Sequence, residues 1–250
     1  METLYNFTCI LLGICSIING LELLSLRQFK LQFITQSSDL QFGNFAKATL
    51  ILVLQVLFSI FLIASVFFEL PFLTKLCLWC VFLLIGYAYK IKTIGRDGSD
   101  QLRLICFGIL ALCSLLDKEA SYQYAVTFIS VQVIISYFTS GMCKLMSSYW
   151  RKGDALANIL NNYTYGSETF STALKKHKNI NKILTYSPIF LMVSFPFSFL
   201  IPEIDVLLIS LTLMFTFHLG TSLLMGLNDF ILTFPATYPC LIGLHILIYG

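Results

Sequence analysis

Residues 46–68 read AKATLILVLQVLFSIFLIASVFF, with a single charge, Lys47, at the leading edge. A helix rises about 1.5 Å per residue, so roughly 20 apolar residues cross a hydrocarbon core about 30 Å thick. This stretch is long enough to do so. Glu69-Leu70-Pro71 closes it, because proline cannot continue a helix interior. A third apolar run follows at once, from about Phe72 to Tyr89, and a first lies upstream, from about Leu4 to Leu24. Downstream come a short run at Leu102–Leu116 and longer ones at Ser121–Met146, Ile183–Ile201, Val206–Leu227 and Phe230–Tyr249. The pattern predicts an all-α, polytopic integral membrane helical bundle with about eight transmembrane helices. It forms one membrane domain over residues 1–250. Pro188 and Pro196 predict a kink or local break in the sixth span.

Composition agrees with this reading. Hydrophobic residues make up 57% of the chain and charged residues 12%, against roughly a quarter charged in soluble chains. The mean hydropathy is +0.82. So few charges cannot cover a water-facing surface, and the lipid bilayer is the expected solvent. A net charge of +3 gives no nucleic-acid footprint. The eight cysteines mostly stand alone in apolar runs, where they read as small hydrophobes rather than a secreted disulfide framework. The first apolar run lacks a basic leader and a small-residue cleavage site, so it reads as a retained helix.

The charges orient the bundle. Arg27, Lys30 and Lys47 fall between spans one and two. Lys90, Lys92, Arg96 and Arg103 fall between three and four. Lys144, Arg151, Lys152, Lys175, Lys176, Lys178 and Lys182 fall at or between five and six. Of the 16 Lys and Arg, only Lys75 and Lys118 lie on the other side, among Glu2, Glu69, Asp117, Glu119, Glu203 and Asp205. Cytoplasmic loops are rich in Lys and Arg. The basic loops are therefore expected in the cytoplasm and both termini outside. The polar segment 147–182 mixes Tyr149, Trp150, Phe170 and Leu174 with basic residues. It predicts one or two amphipathic helices at the cytoplasmic interface, with Ser167 as an N-cap.

Few polar groups stand at membrane depth, where they tend to mark function. Lys144 ends span five and can snorkel to the interface. Turned inward and desolvated, such an amine can act as a base. His218 lies mid-span and reads either as a satisfied core histidine or as a site residue whose partner is Lys144 or a substrate. Glu22, His245 and His177 read as interfacial or surface groups, and Asn228 and Asp229 as turn residues. Asp97, Ser99 and Asp100 precede span four, where the ordinary use is helix capping. Cys77-Leu-Trp-Cys80 reads first as two packing cysteines beside a tryptophan, and second as a quinone-linked dithiol. No second ligand pair accompanies it, so no metal site is expected.

Tyr137-Phe138-x-x-Gly141-x-x-Lys144-Leu145 followed by Trp150-x-x-Gly153-x-Ala155-Leu156 resembles the signature of the HTTM membrane domain, found in vitamin K-dependent γ-carboxylases and bacterial relatives. Gly95-Arg-Asp-Gly-Ser-Asp100 resembles that family's polar turn, and Phe217-His218 with Phe230 its late histidine helix. The resemblance implies a cavity between spans five and seven. In it Lys144 would be the general base toward a reduced quinone and His218 a second catalytic residue, with Gly141, Trp150, Asp97 and Asp100 around the substrate. The carboxylases carry a further histidine where this chain has about Gly98, and an extramembrane domain after the last span. The shorter form is similar to bacterial HTTM proteins of the sporulation-delaying-protein B type. That likeness implies an inner-membrane protein that helps modify or mature a small secreted peptide, alongside a soluble partner protein. A non-catalytic membrane partner or scaffold in peptide toxin maturation or export is the alternative. The G-x-x-K-L element is also similar to DoxX and MauE-like redox membrane proteins, which the Cys77–Cys80 pair would suit.

Overall fold

A computed structural model describes residues 1–25, 42–91, 96–162 and 166–250. Arg27, Lys30, Lys92, Gly95 and Tyr163 lie outside the described residues. Every regular element among the described residues is helical. Helix α1 is Glu2–Ser25, α2 Phe42–Phe67, α3 Pro71–Ile91, α4 Gly98–Cys113 and α5 Lys118–Met146. Short helices α6 (Ser148–Arg151), α7 (Ala155–Leu160) and α8 (Glu168–Lys176) follow. Then come α9 (Lys178–Ser194), α10 (Ile204–Met225), α11 (Asn228–Thr233) and α12 (Tyr238–Tyr249). Among the described residues seven stretches are long and apolar enough to cross a membrane: α1, α2, α3, α5, α10, α9 with its continuation, and 228–249.

The fourth expected span falls short of that length. Helix α4 has 16 residues, about 24 Å at helical rise. It starts earlier than the apolar run suggests, at Gly98, because Asp97 caps it. The Asp97 carboxylate accepts from the backbone N–H of Ser99 at 2.9 Å and of Asp100 at 3.1 Å. This extension draws Asp100 and Arg103 into the helix. They form an ion pair of 2.7 Å, with side chains 7% and 3% exposed. Arg103 is thus a buried helical residue rather than a loop charge. The sixth span changes character at Phe195, where α9 passes into a 3-10 helix, Phe195–Leu200, with Pro196 in its first turn. Pro188 sits inside α9 without ending it. The last span breaks similarly at a 3-10 turn, Pro235–Thr237.

The chain forms two compact units. The first comprises Met1–Ile129 with Leu232–Gly243. Here α1 and α2 pack through small and polar residues. A Cβ on Gly13 would meet Ile63 at 2.9 Å, and one on Gly20 would meet Val56 at 2.7 Å. Between those glycines Ser59 donates to the Ser16 hydroxyl at 2.9 Å, and the Gln55 amide donates to the Ser16 carbonyl at 3.1 Å. Small residues that let backbones approach, with hydroxyl and amide bonds across, are the usual helix–helix contact in lipid. Helix α4 is largely buried, with Cys106, Phe107, Leu110 and Ala111 inside the unit. Gly108 faces the ring of Phe82 on α3, 2.9 Å from where a Cβ would stand.

The second unit comprises Ser130–Ile231 with Leu244–Gly250. The short helices α7 and α8 pack on each other, and Ser171 donates to the Ala157 carbonyl at 2.8 Å. The turn joining α6 to α7 is fastened to α9: Tyr186 donates to the Arg151 carbonyl at 2.7 Å, and Asn181 to Asp154 at 3.4 Å. Ser167 stands at the N-cap position of α8, as expected, but makes no side-chain capping bond. His245 is buried, and donates to the Ile201 carbonyl at 3.2 Å.

Candidate functional site

Tyr137, Gly141 and Lys144 are spaced four and three apart, which puts them on one face of α5. That face meets α9. A Cβ on Gly141 would stand 2.9 Å from Met192 and Val193 side-chain atoms and 3.0 Å from the Val193 backbone nitrogen. Only glycine lets the two backbones come that close. Gly141 therefore shapes the site by allowing α5 and α9 to touch on either side of it.

Lys144 stands in the last turn of α5, half-buried. Its Nζ donates to the Ser140 hydroxyl at 2.6 Å and lies 3.7 Å from Met192 Sδ. The ammonium also lies over the Trp150 ring, 5.5 Å from its centroid. The local sequence explains this return. The chain leaves α5 at Met146, turns through Ser147, and the short α6 carries Trp150 back across the lysine. Gly153 follows in the left-handed region at φ 80°, which glycine enters without strain. A Cβ there would also meet Lys182 at 2.8 Å. Ala155, Ala157 and Leu160 are buried beyond the turn. The Lys–Trp–Gly block seen in the sequence is therefore one folded feature.

His218 is 1% exposed on α10. Its Nε2 is hydrogen-bonded to the Tyr137 hydroxyl at 2.8 Å, so a tyrosine supplies a partner at that nitrogen. The Phe230 ring stacks on the imidazole at 5.9 Å, which accounts for the twelve-residue spacing between them. Phe195 meets Tyr137 edge-on at 4.9 Å. Tyr137 and Lys144 are two helical turns apart, about 10 Å along the axis. The second unit thus holds a half-buried amine and a buried Tyr–His pair along one face of α5.

The remaining expected site residues belong to the first unit. Asp97 is a capping residue and Asp100 pairs with Arg103. Cys77 is buried on α3, Cys80 is half-buried, and both are free thiols. Sequence reasoning did not single out Tyr137, Ser140 or Met192 as partners. Tyr137 carried the signal, since it stands seven residues before Lys144, on the same helical face. The Asp100–Arg103 pair had a signal too, in opposite charges three apart at the edge of an apolar run. No family model matches the chain, and no curated protein or solved structure matches it.

Proposed function

We propose that this chain is a multi-pass inner-membrane protein of the HTTM type, with about eight spans, that helps to modify or mature a peptide. Lys144 is the residue on which the reading turns. It is half-buried, bonded to Ser140 and lying over an indole face, on the same helical face as the buried Tyr137–His218 pair. An amine held partly out of water at the end of an apolar helix is the group type that takes a proton from an acidic hydroxyl. Among the described residues its partners are the Ser140 hydroxyl and carbonyl, the Met192 thioether and the Trp150 indole, with no carboxylate. Such surroundings suit a reduced quinone in kind: Nζ, once it has lost its own proton and become a neutral amine, would take the hydroxyl proton, and Trp150 would offer a flat apolar wall.

The reading is tested in the native host. Deleting the gene should change the mass or remove a peptide in the culture supernatant, read by mass spectrometry. Wild-type protein restores the peptide, and Lys144→Ala does not. If Lys144→Ala and Lys144→Arg both restore it at normal protein levels, Lys144 is not a base.

A second reading has its own observation. The Lys144 ammonium already has a hydroxyl and an aromatic face as partners, which suits a bundle that only holds a peptide or a subunit. Under that reading the deletion changes the peptide, but Lys144→Ala restores it in full.

A further inference from the structure

The end of α6, the end of α8 and the first two turns of α9 carry Arg151, Lys152, Lys175, Lys176, Lys178 and Lys182, all exposed. Among the described residues none of the six is ion-paired. Only two acids accompany them, Asp154 and Glu168, and Asp154 accepts a hydrogen bond from Asn181. Lys178 opens α9, which has no acid in its first turn, although the helix dipole disfavours a cation there. No ion pair among the described residues compensates this surplus of positive charge.

Its position is fixed by covalent geometry. One residue, Ser147, separates α5 from α6, and one residue, His177, separates α8 from α9. Both α5 and α9 belong to membrane-length stretches. The hydrogen bonds from Tyr186 and Asn181 hold the turn joining α6 to α7 down on α9. The cations therefore cannot leave the level at which α5 ends and α9 begins. Large apolar side chains are exposed among them: Met146 at 73%, Ile183 at 66% and Phe170 at 52%. Exposed apolar groups interleaved with lysines are the pattern of a surface half-immersed in headgroups.

We propose that this ledge binds the phosphate headgroups of anionic phospholipids, which compensate the six cations while Phe170 and Ile183 enter the upper acyl region. Charge complementarity selects the lipid class, and the one-residue tethers keep the charges within a Debye length, about 10 Å, of the headgroups. The inference rests on the reading that α5 and α9 span a bilayer. It does not depend on Lys144 chemistry.

Trp150 lies on the ledge and is a built-in reporter, since Trp79 is the other of the two tryptophans. The full chain with Trp79→Phe is placed in phosphatidylcholine vesicles. These contain equal mole fractions of either brominated phosphatidylglycerol or brominated phosphatidylcholine. Bromine quenches the indole on contact. The anionic quencher should be preferred about tenfold, since each lysine near an anionic surface contributes several-fold. Arg151→Gln, Lys152→Gln, Lys175→Gln, Lys176→Gln, Lys178→Gln and Lys182→Gln together should bring the ratio to about one, while Arg at the five lysine positions keeps it. Equal quenching by the two lipids in the parent chain overturns the proposal and leaves the spanning reading intact. Quenching by neither overturns both. A preference that survives the Gln variant arises elsewhere in the chain and overturns the proposal.

Discussion

Gly141 and Gly220 look alike in the sequence, each a glycine in an apolar helix, yet they bear opposite loads. At Gly141 a Cβ would press on Val193 N at 3.0 Å, and backbone cannot yield as a side-chain tip does. At Gly220 a Cβ meets nothing within 4 Å. Gly141→Ala should therefore cost about 1–3 kcal/mol, the usual range for overpacking. Gly220→Ala should gain about 0.5–1 kcal/mol of helix propensity. Unfolding of the purified protein by titration with sodium dodecyl sulfate reads both. Equal effects at the two sites would contradict the close approach of α5 and α9. The residues of this site were legible only in part. Lys144 and His218 stand out because polar groups are rare in apolar runs. Tyr137 does not, since a tyrosine in such a run is unremarkable until the fold brings its hydroxyl 2.8 Å from an imidazole.

At the scale of the helix, lengths and stops were legible and faces were not. Apolar run length gives a span, and a proline or charge gives its end. The start of α4 is not legible in the apolar run, because Asp100 and Arg103 stand at its edge as charges. Each cancels the other's cost of burial, so the helix absorbs both. Arg103→Met should leave the Asp100 carboxylate buried without its cation, at a cost of about 3–5 kcal/mol. A second change, Asp100→Leu, should recover most of that loss, because replacing both members of a buried pair by apolar groups is often neutral. The same detergent titration decides it: no rescue would mean that the aspartate serves something other than the arginine. The α1–α2 contact was likewise invisible in hydropathy. Ser16 bonds to both Gln55 and Ser59, and Ser16→Leu should cost about 2–3 kcal/mol by overpacking that contact and breaking its bonds.

For the whole molecule the open quantity is the parity of crossings, and α4 controls it. Among the described residues seven stretches meet the length criterion. If α4 does not cross, Met1 and Gly250 stand on opposite sides. If it crosses, they stand on the same side. The charges argue for crossing. Lys90 and Arg96 precede α4, while Lys144, Arg151, Lys152, Lys175, Lys176, Lys178 and Lys182 follow one further span later. Only an α4 that crosses puts both groups on one face, as the bias of cytoplasmic loops toward Lys and Arg demands. Its length, about 24 Å, is short of a typical core by about 6 Å. Local thinning of the bilayer accommodates such a mismatch at a fraction of a kcal/mol per Å. Packing inside the first unit also leaves α4 little lipid-facing surface to satisfy. Alkaline phosphatase, which folds only outside the cytoplasm, should therefore be active when joined after Gly250 and inactive when inserted at Asn162. Activity at Asn162 with none at Gly250 would reverse the orientation. Activity at both or at neither would break the crossing count between α9 and the last span. A phosphatase placed before Met1 completes the test of α4: activity there together with activity after Gly250 requires an even number of crossings, and the opposite pairing removes α4 from the membrane.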